Sequence, residues 1–218
     1  LPLPDALDDA TAAAMANPGM SAWAALVKRA AFKAGETVLI NGATGTAGQL
    51  AVQIARYLGA KKVIATGRNP QVLASLGADA CVLLTADDAV LNAQFAELAS
   101  QQIDVVVDYL WGHSAELLLP ILAKRSPGQS SIRYVQVGSL AGADISINGA
   151  VLRSAPLQLM GSGIGSLSMP ELLQATGEML QAAAIGGFTI ATTPARLCDV
   201  ATAWPLDNSQ KRTVFLVG

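Results

Sequence analysis

With 218 residues, 52% of them hydrophobic, and a mean hydropathy of +0.43, the chain has ample material for a buried core, which excludes intrinsic disorder. A formal charge of −2, with charged residues at only 14%, leaves no basic surface of the kind that governs nucleic-acid binding. Apolar runs are broken before they could span a bilayer and the N-terminus carries no basic secretory stretch, so the expectation is a cytoplasmic chain without nucleic-acid or membrane partners.

The chain begins at Leu1 without a methionine, and Leu1-Pro2-Leu3-Pro4-Asp5 reads as an extended linker with something upstream. Residues 5–16, rich in Ala with early acids, predict a helix that Asn17-Pro18-Gly19 stops. Ser21 is expected to cap a second helix through Trp23, Leu26 and Val27 to about residue 31. Lys33-Ala34-Gly35-Glu36 then turns the chain into an apolar strand, Thr37-Val38-Leu39-Ile40-Asn41. That strand passes through three glycines into a helix whose Ala47, Leu50, Ala51, Ile54 and Leu58 share one face, and Gly59 ends it.

Strands and helices then alternate. Residues 62–66 form a second strand and 70–76 a short helix; 80–84 form a third strand and 87–99 a helix. Residues 103–108 form a fourth strand, 114–123 a helix and 132–137 a fifth strand. The pattern loosens over 141–154, after which Leu157-Gln158-Leu159-Met160 reads as an edge strand. Pro170 and Glu171 open a helix to about residue 185, which Gly186-Gly187 ends. The tail is read as a strand over 188–191, a short helix over 197–203 and a last strand over 212–217. Near-continuous Val/Ile/Leu runs between helices are what a parallel sheet covered on both faces requires. The fold class is α/β, a doubly wound parallel sheet of Rossmann type with a C-terminal strand-helix-strand return.

The turn Gly42-Ala43-Thr44-Gly45-Thr46-Ala47-Gly48 lies between strand and helix, where unpaired backbone N–H groups can receive a pyrophosphate. It lacks the first glycine of the strict G-x-G-x-x-G, for which Gly42 stands one residue early, and no Gly-Lys-Ser/Thr follows to make a nucleoside triphosphate loop. The second strand ends in Thr66-Gly67-Arg68 where an NAD site would carry a carboxylate. Small residues leave room for a ribose 2′-phosphate and the Arg68 guanidinium can pair with it, which favours NADP(H). Val137-Gly138-Ser139 follows the fifth strand, where backbone can approach the nicotinamide half. The domain reading is accordingly a linker and helical preface over 1–35, a dinucleotide-binding domain over 36–187 and a return segment over 188–218.

Other signals are weaker. His113, the single histidine, is read as a capping or exposed side chain; with it and two distant cysteines the chain offers no zinc site. Cys81 and Cys198 sit in apolar sequence and are expected to be buried, reduced thiols. Tyr57 and Lys61 have the Tyr-x-x-x-Lys spacing of short-chain reductases, but at the far end of the helix after the glycine turn. The Leu157 to Gly161 edge strand suggests a homodimer.

Several segments together resemble the medium-chain dehydrogenase/reductases, and within them the zinc-independent quinone oxidoreductase-like group. These are Gly19-Met20-Ser21-Ala22-Trp23-Ala24-Ala25-Leu26, Lys33 to Ile40, Ala51 to Ala60, Leu76-Gly77-Ala78-Asp79, and a last stretch from Lys211 to Val217. The resemblance implies an enzyme that passes hydride from NADPH to a quinone, enone or related carbonyl compound. It also implies an N-terminal catalytic domain, which supplies much of the substrate pocket and is not among these residues, with Leu1 falling about where the chain would leave it. It places the pyrophosphate against Thr44 to Ala47, the ribose phosphate at Gly67 and Arg68, and the nicotinamide near Val137 to Ser139; no catalytic residue is carried over. The glycine turn also fits the loop of extended short-chain reductases and their NmrA-like sensors, which would make the chain a non-catalytic NADP(H)-binding module. Those chains start at their first strand, and the helical preface here argues against that alternative.

Overall fold

A computed structural model describes residues 1–124, 130–206 and 211–217. Six strands, β1 (Thr37–Asn41), β2 (Lys62–Gly67), β3 (Ala80–Leu83), β4 (Val105–Asp108), β5 (Ile132–Gln136) and β6 (Leu157–Gly161), form one parallel sheet in the order β3-β2-β1-β4-β5-β6. The main helices are α1 (Asp9–Trp23), α2 (Thr46–Tyr57), α3 (Pro70–Ser75), α4 (Asp88–Ser100), α5 (Gly112–Leu122), α6 (Ala150–Arg153), α7 (Met169–Gly186) and α8 (Val200–Ala203). A second, two-stranded parallel sheet pairs β7 (Thr192–Arg196) with β8 (Arg212–Leu216).

Strand residues divide between two cores by the alternation of the pleat. Val38, Ile40, Val63, Ala65, Val105 and Val107 face one side, where they pack with α1, α2 and α7; Leu39, Ile64, Val106 and Tyr134 face the other, against α4 and α5. Both faces of the central strands are therefore buried, which is why β1 reads as an unbroken apolar run. The order reverses between β1 and β4, and that switch point opens a crevice at the carboxyl ends of the strands.

The structure corrects the preface. Asn17-Pro18-Gly19 does not stop a helix: α1 runs through it to Trp23 and continues as a π-helical turn, Ala24–Arg29. An interior proline costs a helix about 3 kcal/mol, and burial of Met15, Ala22 and Trp23 against α2 and α7 offsets it. Gly19 serves packing, since a Cβ there would lie 2.6 Å from the Met179 sulfur of α7. Ser21 is mid-helix, its hydroxyl donating to the Pro18 carbonyl at 2.8 Å, and caps nothing. The preface shares the core of the sheet and is tied to it by Arg133, which donates to the Ala30 carbonyl and to Glu36, each at 2.7 Å.

Two further expectations change. Cys81 and Cys198 are both exposed free thiols, because β3 is an edge strand and the segment after β7 has no layer above it. The tail strand forms at Thr192–Arg196 and not at 188–191, because Phe188 turns inward instead, its ring set edge-on to Tyr57 with centroids 5.5 Å apart.

Candidate functional site

The glycine turn crosses the sheet at the switch point. Gly42 has φ +91°, and the chain then reaches across to β2, with the Ala43 N–H donating to the Thr66 carbonyl at 2.7 Å and the Gly42 N–H to the Thr66 hydroxyl at 3.2 Å. Gly48, in the first turn of α2, lies so close to the turn that a Cβ would sit 2.3 Å from the Gly42 carbonyl oxygen. Gly67 makes room for Thr44, whose methyl would be 2.4 Å from a Cβ there. Gly45 differs: it is the N-cap of α2, supplies no capping side chain, and a Cβ on it would meet nothing within 4 Å. The first N–H groups of α2 thus lack a side-chain cap.

Beneath the turn lies a closed polar network. The Asn41 amide donates to Asp108 at 2.8 Å and to the Ser114 hydroxyl at 2.9 Å, and its carbonyl accepts from the Thr66 hydroxyl at 2.6 Å. The same Asp108 carboxylate accepts from the backbone N–H groups of Leu110 and Trp111 and, at 2.5 Å, from the Tyr134 hydroxyl. Burial, and then the Asp108 charge, push the Tyr134 phenol well above its ordinary range, so it stays a donor. The side chains of Asn41, Thr66, Asp108, Ser114 and Tyr134 are all buried, and the network links β1, β2, β4 and β5 just below the crevice. Thr66, expected from the sequence among the cofactor-binding residues, holds the turn through its hydroxyl and its carbonyl.

A cavity of about 350 Å³ opens beside the turn, between α1, the start of α2, the ends of β4 and β5, and the segment after β6. Thr46, Ala47 and Val137 line it, whereas Gly138 lies against the Tyr109 backbone, 2.8 Å from a Cβ position to its carbonyl oxygen, and Ser139 is exposed. Two further lining residues stand out. The Tyr109 hydroxyl is buried without a hydrogen-bond partner, in a side chain only 6% exposed. Burial pushes this phenol's pKa up. Arg212, half-buried on β8, reaches the same cavity and its guanidinium pairs with no described residue. Arg68, at the other end of the turn, is exposed and likewise unpaired among the described residues.

The remaining sequence signals fall elsewhere. His113 is exposed at the start of α5, its Nε2 2.7 Å from Asp88 and its Nδ1 3.7 Å from Glu116. Tyr57 packs between Trp23 and Phe188 at the far end of α2, remote from the turn. Among the described residues no three metal-ligating side chains gather, and none is helical at a length and apolarity that would cross a membrane.

The sequence pointed to the turn, to Arg68 and to the segment after β5. It missed the supporting network and the two cavity residues. Asn41 and Asp108, polar residues closing apolar strands, were a legible signal for the network. Arg212 was not, because its approach depends on where the tail returns.

Residues 47–178 match the zinc-binding dehydrogenase family. The chain is 32% identical, over 229 aligned positions, to a protein of Emericella nidulans described as a probable NADPH-dependent quinone reductase, tdiC; the match covers 98% of this chain and 63% of that one. It is also 33% identical, over 62% of its length, to 6% of the phthioceranic/hydroxyphthioceranic acid synthase of Mycobacterium tuberculosis. Among solved structures, a mycobacterial quinone oxidoreductase superposes with a TM-score of 0.84 at 20% identity, over 99% of this chain and 67% of that one. The quinone oxidoreductase of Thermus thermophilus superposes with a TM-score of 0.70 at 24% identity, over 94% of this chain and 64% of that one. At these identities the likeness concerns the fold. The chain spans about 63% of the length of its quinone reductase relative.

Proposed function

Because the chain belongs to the zinc-binding dehydrogenase family of medium-chain dehydrogenase/reductases, we propose that it is the cofactor-holding portion of an NADPH-dependent oxidoreductase that reduces a quinone, enone or related carbonyl compound. The observation that carries this reading is the turn itself. An uncapped helix N-terminus at the switch point, with open space at Gly45, meets an unpaired Arg68 at the end of β2.

In this reading the N–H groups from Thr44 to Ala47, with Gly42, Gly45 and Gly48 keeping side chains out of the way, hold the pyrophosphate, and the positive end of α2 favours its charge. Arg212 adds a cation from across the cavity. Gly67 and Arg68 receive the ribose 2′-phosphate, and Thr66 fixes the turn between them. Val137, Gly138 and Ser139 border the nicotinamide half. When bound, NADPH supplies the hydride; the protein's part is to orient it and exclude water. The family's description includes zinc, but the residues do not fit a zinc centre: the single histidine is engaged by Asp88 and Glu116, and the cysteines stand on separate elements.

The reading extends to the domain organisation, with residues 36–187 binding the dinucleotide and 188–218 returning beside the preface, to a homodimer through β6, and to a cytoplasmic location. The test is NADPH oxidation, with a panel of quinones and enones, by the protein that contains this chain. Substrate-dependent oxidation is expected. Binding without turnover for any acceptor would instead favour a non-catalytic module or sensor.

A further inference from the structure

We propose that the Tyr109 hydroxyl donates a hydrogen bond to the carboxamide oxygen of the nicotinamide ring. This makes Tyr109 the side chain that recognises the reacting end of the cofactor; the inference rests on the NADP(H) reading above. Three observations carry it. First, the hydroxyl is buried and unpaired in a side chain only 6% exposed, and a buried polar atom without a partner is rare enough to demand a reason. Second, the residue lines the cavity into which the α2 N-terminus opens. Third, the position within the sheet selects the ligand half. Arg68 closes β2 on one side of the switch point, and Tyr109 follows β4 on the other. A dinucleotide whose pyrophosphate rests on α2 and whose adenosine ribose reaches Arg68 must lay its other half over β4 and β5. That half carries an aromatic ring with one amide carbonyl, and the cavity offers the ring apolar walls at Met20, Ala24, Val137 and Leu172. Burial keeps the phenol neutral, hence a donor.

The chemistry separates this role from a structural one. Removing an orphan hydroxyl leaves no protein partner unsatisfied, so Tyr109→Phe should fold with an unchanged or slightly higher Tm. The same variant should bind NADPH about three- to tenfold more weakly, the effect of one neutral hydrogen bond. Its affinity for adenosine 2′,5′-bisphosphate, which has no nicotinamide, should equal that of the wild type. The wild type should also prefer NADP to its thionicotinamide analogue, whose sulfur accepts poorly, and Tyr109→Phe should lose that preference. Calorimetric titrations of both proteins with these four ligands read all of this. Equal NADPH affinity in the two proteins overturns the proposal, as does equal weakening toward the bisphosphate or a Tm drop of several degrees. Failure of the wild type to bind NADPH at all overturns the cofactor reading itself, and this inference with it.

Discussion

Gly45 and Gly48 stand three residues apart in one turn and answer to different demands. Gly48 is needed by the protein, because the nearest atom to a Cβ there is backbone, the Gly42 carbonyl oxygen at 2.3 Å. Gly48→Ala should therefore destabilise the fold by about 2–3 kcal/mol, the upper part of the range for overpacking, and lower the Tm measured by circular dichroism. Gly45 has ordinary backbone geometry, φ −79°, and open space around it, so Gly45→Ala should change stability by less than about 1 kcal/mol. It should nonetheless weaken NADPH binding, since a methyl group would occupy the approach to the helix N-terminus. Undiminished affinity would show that no ligand comes close to this backbone. The polar network gives a second prediction at this scale. Asn41→Val removes the acceptor of the Thr66 hydroxyl and the amide that donates to Asp108 and to the Ser114 hydroxyl, and should cost about 1–3 kcal/mol in urea denaturation. A neutral result would mean that water or a repacked Thr66 replaces the amide.

Among the elements, those governed by local pattern were legible and those governed by tertiary contact were not. The strands of the main sheet were, because burial on both faces writes itself as runs of Val, Ile and Leu, and so was the glycine turn between β1 and α2. The α1 helix was not: Pro18 and Gly19 carry a stop signal, and only packing against Met179 and α2 explains why the helix ignores it. β7 was displaced for a related reason, since Phe188 is claimed by Tyr57 and the strand begins where pairing with β8 becomes available. The pairing of α4 with α5 carries a pH prediction. The hydrogen bond to Asp88, with Glu116 behind it, raises the His113 pKa above its ordinary value. A raised folded-state pKa contributes stability that is fully present below about pH 6.5 and is lost as pH rises through the higher folded value. His113→Gln should remove that slope from the urea midpoint measured between pH 6 and pH 8. The change will be small, because both side chains are largely exposed. An identical pH profile in the variant would remove the histidine from any role in stability.

At the scale of the molecule, charge and apolar exposure are unevenly placed. The edge strand β6 and the segment after it leave Leu159 partly exposed and Ile164 90% exposed, and the tail presents Trp204, stacked on Phe215, at 69%. An open parallel edge with apolar neighbours is a surface that proteins cover. Light scattering at micromolar concentration should give the mass of a dimer, and Leu159→Lys, on the exposed part of β6, should shift it toward monomer. A wild-type monomer would contradict the edge-strand interface. The site depends on the whole molecule in the same way: it draws α2 from one crossover, Arg68 from the next strand and Arg212 from the far end of the chain. Its central claim is that this assembly holds NADP(H) and distinguishes it from NAD(H) through Arg68. Parallel calorimetric titration of the wild type and Arg68→Ala with NADPH and NADH tests it most directly. The wild type should bind NADPH about 10- to 100-fold more tightly than NADH, the worth of one charge-assisted pair, and the variant should lose that preference with NADH binding unchanged. Equal affinity of the wild type for both dinucleotides, or a preference that survives in Arg68→Ala, would contradict it.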